Sequence, residues 1–230
     1  MHPEAAAVRR RALALAMVCA RGLIEIDRDR GTALAVWQDM LAWFRDHELA
    51  AELEPFEVVL IETPVGELEE LAVWRATWVV EGLAMLAWAL GDSEWPLHES
   101  KSDPYEVANA VGLFDEEIHD RIQTSALRDV VALEAARELY YALDCRLRSQ
   151  RQGRSAPNFR NWISREWLEA LELSVETILH SDDLLVRGRP ITDLSKSELQ
   201  ECASIVFERH RATIWLVEQE TTYWETIVGT

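Results

Sequence analysis

The feature that most constrains this chain is an apolar segment, residues 71–90, with the sequence LAVWRATWVVEGLAMLAWAL. Twenty residues can span a bilayer as a helix. The segment nevertheless carries Arg75 and, near its middle, Glu81. Each such charge costs about 2.5–3.5 kcal/mol at the centre of a membrane helix, and acidic flanks without lysine or arginine supply no membrane anchor. We therefore predict a buried helix at the centre of a water-exposed bundle, and no membrane span.

The rest of the chain is typical of amphipathic helices joined by short breaks. A chain of 230 residues can bury a core large enough to fold without a metal or a disulfide. We predict a mainly α fold, a single helical domain over residues 1–230. It consists of about seven helices packed around the central apolar helix 71–90. A small β-hairpin is predicted near 184–191, turning at Gly188, and a capping box of Ser195 and Glu198 begins the last helix.

Charge is distributed unevenly along the chain. The net charge is −18, and residues 31–100 alone hold 14 acids against two arginines. Such a field repels phosphate backbones and anionic lipids. The acidic segment is therefore either a solvated face or a docking surface for a basic protein. Residues 146–165 contain six arginines and no acid, but the overall charge disfavours nucleic acid as a partner.

Sequence motifs for metal, nucleotide and redox chemistry are missing. The three cysteines, Cys19, Cys145 and Cys202, are odd in number and far apart, which favours a reducing cytoplasm over a disulfide framework. Glu116 and His119 have the i, i+3 spacing of two metal ligands, but di-iron bundles need this motif twice. Phosphate-loop, dinucleotide, nucleophile-elbow and zinc-protease motifs are absent. We predict no metal and no cofactor.

One polar cluster is predicted within the core. Glu81 has no charged neighbour between Val79 and Leu90, and a buried carboxylate needs a cation or hydrogen bonds. Arg75 lies about 240° round the helix from Glu81, so it cannot pair with the Glu81 carboxylate. The cation is expected from the last helix, which carries Arg209, His210 and Arg211.

Two further features complete that cluster. Arg211 and Trp215 are i, i+4 and are expected to form a cation–π contact. The cluster then comprises Glu81, Arg209, His210, Arg211, Trp215 and Trp224. A buried ion pair that fixes the helix register explains it, and so does a ligand pocket with Glu81 and His210 as candidate acid and base.

Two sequence blocks resemble a known bacterial family, the domain-of-unknown-function family 4272. The first block runs Trp78-x-x-Glu81-Gly82-Leu83 and continues through Trp88-Ala89-Leu90-Gly91. The second runs Glu208-Arg209-His210-Arg211-Ala212, then Trp215-Leu216 and Trp224. Val79 departs from the family pattern, which usually has arginine there. The resemblance implies a soluble bacterial protein and carries no known activity.

Three functional hypotheses follow. The first is a non-catalytic binding protein, similar to an immunity protein or an antitoxin, that docks its acidic face on a basic partner. The second is an enzyme of unknown reaction that uses Glu81 and His210. The third is a structural assembly module with exposed tryptophans such as Trp95 at a subunit interface, and the sequence leaves the oligomeric state open.

Overall fold

The structure, a computed structural model, describes residues 4–27, 29–154, 158–218 and 221–228. The chain folds into two compact units. The helical unit comprises Pro3–Glu94 and Ser102–Leu127, and the mixed unit includes Trp95–Lys101 and Arg128–Thr230. The predicted mainly helical fold with a small hairpin is confirmed; the single domain over residues 1–230 stays a prediction.

The helical unit is organised around its first helix. Its helices are α1 (Ala5–Ile26), α2 (Arg30–Asp46), α3 (Pro55–Glu62), α4 (Glu70–Trp78), α5 (Val80–Ala89), α6 (Pro104–Ala110) and α7 (Ile118–Gln123). Helix α1 packs against each of the other six. A Cβ on Gly22 would lie 2.9 Å from the Cβ of Ala76, so this glycine lets α1 and α4 approach closely.

The predicted single helix over 71–90 is wrong in its continuity and in part of its burial. The segment forms two helices, and all ten residues of α5 are buried, whereas Ala76 is the buried residue of α4. The Thr77 hydroxyl donates to the carbonyl of Trp74 at 3.0 Å, a side-chain contact that bends helices. The neighbouring Val79 N–H bond to Arg75 is stretched to 3.3 Å. Within the described residues, no helix is both long and apolar enough to cross a membrane.

The mixed unit combines three helices with a small sheet. The elements are α8 (Val130–Arg151), α9 (Arg165–Ala170), α10 (Lys196–Glu218), β1 (Leu179–His180), β2 (Asp183–Val186) and β3 (Arg189–Pro190). Helix α8 packs against α10 and α9, and the strands form an antiparallel sheet in the order β1-β2-β3. The structure therefore holds more helices than the seven predicted, because short segments such as Pro55–Glu62 are helical too.

The predicted capping box and hairpin turn are both confirmed. Ser195 and Glu198 exchange the reciprocal hydrogen bonds of a capping box, at 3.3 and 2.8 Å. The hairpin turns at Arg187 and Gly188, both with positive φ, the backbone conformation that two-residue hairpin turns require. These signals depend on neighbouring residues alone, which explains why the sequence predicted them correctly.

Candidate functional site

Glu81 is buried, as predicted. It lies in the first turn of α5 with 1% of its surface exposed, where the helix dipole favours a carboxylate. Its two oxygens accept hydrogen bonds from the backbone N–H and the hydroxyl of Ser102, each at 3.0 Å. Sequence reasoning missed Ser102 because no local pattern relates residues 21 positions apart. The Glu81 carboxylate is therefore held by donors from the segment that leads into α6.

Arg209 is fully buried in the mixed unit and binds backbone carbonyls. Its guanidinium donates to the carbonyl oxygens of Pro96 at 3.0 Å, Leu97 at 2.7 Å and Ser100 at 2.8 Å. These bonds attach the segment Trp95–Lys101 to α10. The pairing of Glu81 with residues 209–211 stays a prediction.

His210 lies in a charged corner of the mixed unit. With 2% of its surface exposed, its Nδ1 is 3.5 Å from a carboxylate oxygen of Asp144. Arg148 already binds that carboxylate at 2.6 Å. Both proposed acid–base residues, Glu81 and His210, are thus nearly closed to solvent, a setting typical of buried structural polar groups. A catalytic role for either residue stays a prediction.

The predicted cation–π contact between Arg211 and Trp215 is wrong. Arg211 lies over the rings of Phe207 and Trp224, at 5.0 and 5.4 Å, while Trp215 packs against Tyr223. Helical side chains lean toward the helix N-terminus, which directs Arg211 to Phe207, four residues earlier. Glu208 accepts a hydrogen bond from the guanidinium at 2.9 Å and fixes this direction.

Trp95 is not the exposed tryptophan that the assembly hypothesis named. It is half-buried and stacks on Tyr140 with ring centroids 5.5 Å apart. The other candidate features of the sequence are also ordinary in structure. Glu116 and His119 are exposed, and among the described residues no group of three or more His, Cys, Asp or Glu side chains could hold a metal ion.

Arginines elsewhere in the helical unit form ion pairs with several of the acids in residues 31–100. Arg11 contacts the buried Glu57 and lies 3.3 Å from Glu54, and Asp92 pairs with Arg9 and Arg121. Eight of the 14 acids remain exposed: Asp39, Asp46, Glu48, Glu62, Glu67, Glu69, Glu70 and Glu94. The acidic surface is thus smaller than the composition indicates.

Half of these exposed acids lie around the connection between α3 and α4. We define the α3–α4 surface by four acids and three apolar side chains: Glu62, Glu67, Glu69, Glu70, Val59, Leu71 and Trp74. The apolar members are 62%, 58% and 46% exposed, respectively. Leu71 and Trp74 are three residues apart on α4 and share one helical face, and contiguous apolar patches with a polar rim mark protein-binding surfaces.

Helix α1 holds the α3–α4 connection in place. Arg21, fully buried, donates to the carbonyls of Thr63 and Pro64, each at 3.1 Å. Glu25 accepts hydrogen bonds from the N–H groups of Gly66 at 2.9 Å and Leu68 at 3.1 Å. Burial acts to raise the pKa of Glu25, but the bonds from Gly66, Arg21 and Leu68 outweigh it and hold this pKa below its ordinary value. The connection is therefore held from both ends, by a cation on its carbonyls and an anion on its amides.

The cysteines differ sharply in accessibility, which leads to a labelling prediction. Burial, reinforced by the charge of Glu81, raises the pKa of Cys19 to about 12. Burial, together with the charge of nearby Glu99, likewise raises the pKa of Cys202 to about 12. Cys145, by contrast, is half-buried and within reach of solvent. Because the thiolate is the reactive form, we expect one of the three thiols, Cys145, to react with Ellman's reagent before unfolding. Fast release from two or three thiols, or labelling that persists in Cys145→Ser, would contradict this.

Comparison with known proteins identifies one family model and nothing else. Residues 2–172 match the model described as "Domain of unknown function (DUF4272)". The matched range contains the Trp78–Gly91 block and ends before the Glu208–Trp224 block. No curated protein and no solved structure matches the chain.

Proposed function

The chain belongs to the DUF4272 family, whose description gives no activity, and we propose its function from the residues of the α3–α4 surface. The protein is a non-catalytic binding module, similar in kind to an immunity protein, and its α3–α4 surface docks a basic protein. The partner presents an apolar side chain surrounded by lysine or arginine. The observation that carries this proposal is Trp74, 46% exposed on the helix that begins with Glu69 and Glu70.

The apolar and the acidic residues of this surface contribute to binding in different ways. Tryptophan is enriched among the side chains that dominate interface energy, and Leu71 and Val59 supply further apolar area. None of the four acids is ion-paired within the described residues. Free charges of one sign steer an oppositely charged partner and raise its association rate. The net charge of −18 acts in the same direction over longer distances.

The anchoring of the surface supports the same proposal. The bonds from Arg21 and Glu25 fix the backbone between α3 and α4, so little conformational entropy is lost when a partner binds. Arg75 lies 5.8 Å from the ring centroid of Phe56 and links the two helices directly. Three free cysteines favour a reducing bacterial cytoplasm as the place where this happens.

A defined peptide tests the proposal. The probe is a fluorescein-labelled leucine–lysine peptide whose leucines share one helical face, measured by anisotropy at low ionic strength. Its composition-matched scramble is the peptide control. We expect the amphipathic peptide to bind more tightly. The variant Glu67→Gln/Glu69→Gln/Glu70→Gln should weaken binding about tenfold, at about 0.5 kcal/mol per exposed charge.

The matched variant removes three other exposed acids of the same unit, Glu116→Gln/Glu117→Gln/Asp120→Asn. It changes the net charge equally, and we expect it to weaken binding less than about twofold. Trp74→Ala should weaken binding by at least about tenfold. Equal losses in the two triple variants, or full binding by Trp74→Ala, would overturn the proposed docking site.

A further inference from the structure

The arginine-rich segment 146–165 is mostly neutralised by neighbouring acids. Four of its six arginines form ion pairs: Arg146 with Asp183, Arg148 with Asp144, Arg160 with Asp182, and Arg165 with Glu169. Arg151 and Arg154 are exposed and have no ion pair within the part of the chain that the structure describes. The surroundings of these two arginines indicate what each of them could bind.

Arg154, but not Arg151, lines a cavity of about 530 Å³ within the mixed unit. Helix α8 contributes Tyr141, Cys145 and Arg148, which are spaced along one helical face. Trp162 and Trp167 supply two further walls. The volume lies within the range of about 300–1,000 Å³ that small-molecule sites occupy.

Two of the aromatic side chains that line the cavity contact neighbouring groups of the same unit. Trp162 is 40% exposed and packs edge-on against the fully buried Phe159, with centroids 5.6 Å apart. A hydrogen bond with the Cys145 side chain raises the pKa of Tyr141 above its ordinary value. Two indole rings and one phenol therefore line the cavity and are available to a ligand.

The charges inside the cavity favour an anion. Glu138, which also lines it, is bound by Arg137 at 2.5 Å, and Arg148 is bound by Asp144 at 2.6 Å. Arg137 and Asp144 therefore offset the charges of Glu138 and Arg148, and the guanidinium of Arg154 has no ion pair within the described residues. Arginine binds carboxylates and phosphates through two parallel N–H groups. A cation beside three aromatic rings selects a ligand that carries both an anionic group and a flat apolar body.

We propose that this cavity binds a small organic anion with a flat ring, the anionic group on Arg154 and the ring against Trp162 and Trp167. The site is independent of the proposed docking surface, since all its residues lie in the mixed unit. Ligand binding here and peptide binding there have separate readouts, so either proposal can fail alone.

The test uses naphthoate as the probe and the indole N–H signals of the full chain as the readout. Trp162→Phe and Trp167→Phe assign two of these signals in a nitrogen-15 spectrum. We expect naphthoate to shift both signals saturably, and acetate to shift neither. The neutral naphthalene carboxamide should bind at least about tenfold more weakly, because it lacks the charge-assisted bond to Arg154.

The variants separate this site from general attraction of anions. Arg154→Gln should raise the dissociation constant of naphthoate about tenfold. Arg151→Gln removes an arginine that is also exposed but lies outside the cavity, and it should change the dissociation constant less than about twofold. Bound naphthoate should also slow the reaction of Cys145 with Ellman's reagent. Equal effects of the two arginine variants, equal binding of the carboxamide, or unshifted Trp162 and Trp167 signals would each overturn the proposal.

Discussion

Replacing Arg209 with methionine is expected to lower the free energy of unfolding by about 3–5 kcal/mol, because the hydrogen bonds of a fully buried charged donor are lost. The substitution keeps much of the side-chain volume but removes the donors to the carbonyls of Pro96, Leu97 and Ser100. Each hydrogen bond from a charged donor contributes about 1.5–3 kcal/mol. Urea unfolding, followed by circular dichroism and tryptophan fluorescence, measures the change.

Two further variants show whether the loss in Arg209→Met comes from the donors of this buried guanidinium. Arg209→Lys retains the charge but not the planar fork of donors, so it should recover only part of the loss. Arg137→Met removes an arginine of the same unit whose side chain is 30% exposed, and it should cost no more than about 1 kcal/mol. If Arg209→Met costs no more than Arg137→Met, the carbonyls of residues 96–100 do not depend on this guanidinium.

The second large effect is expected in the helical unit, where Arg11 contacts Glu57. The side chains are 6% and 0% exposed, respectively, and Arg11 also donates to the carbonyl of Glu52 at 3.0 Å. Arg11→Met should cost about 3–5 kcal/mol, because it leaves a buried carboxylate without this cation. The same urea unfolding experiment measures it.

Neutralising the carboxylate should reverse part of that loss. In Arg11→Met/Glu57→Gln the amide oxygen can still accept the N–H of Glu54, which Glu57 binds at 2.9 Å. We expect this double variant to be about 1–3 kcal/mol more stable than Arg11→Met alone. A double variant that is equally or less stable would show that Arg11 contributes through packing and not through its charge.

Much of the fold could be predicted from the sequence because its signals are local. Helical periodicity and the Ser195 capping box both depend on residues within one or two turns. The all-round apolar segment 71–90 was the exception. Composition alone could not distinguish the buried α5 from the exposed Leu71 and Trp74 of α4. Nor could it reveal that Thr77 would bond to the backbone of Trp74.

The candidate site was harder to predict because its contacts are remote in sequence. The count of acids over residues 31–100 correctly indicated an acidic region. Which of those acids remain free depends on arginines far along the chain, such as Arg9 with Asp92 and Arg11 with Glu57, and no sequence pattern pairs them. The burial of Glu81 was predictable from its apolar neighbours, whereas its bonds to Ser102 were not.

Docking of a basic partner on the α3–α4 surface should protect the backbone amides of that surface from hydrogen exchange. Exchange is measured on the full chain with and without the leucine–lysine peptide at saturation. We expect slower exchange across residues 62–74 and unchanged exchange across residues 116–123. Slower exchange elsewhere, with residues 62–74 unaffected while the peptide is bound, would contradict docking on this surface.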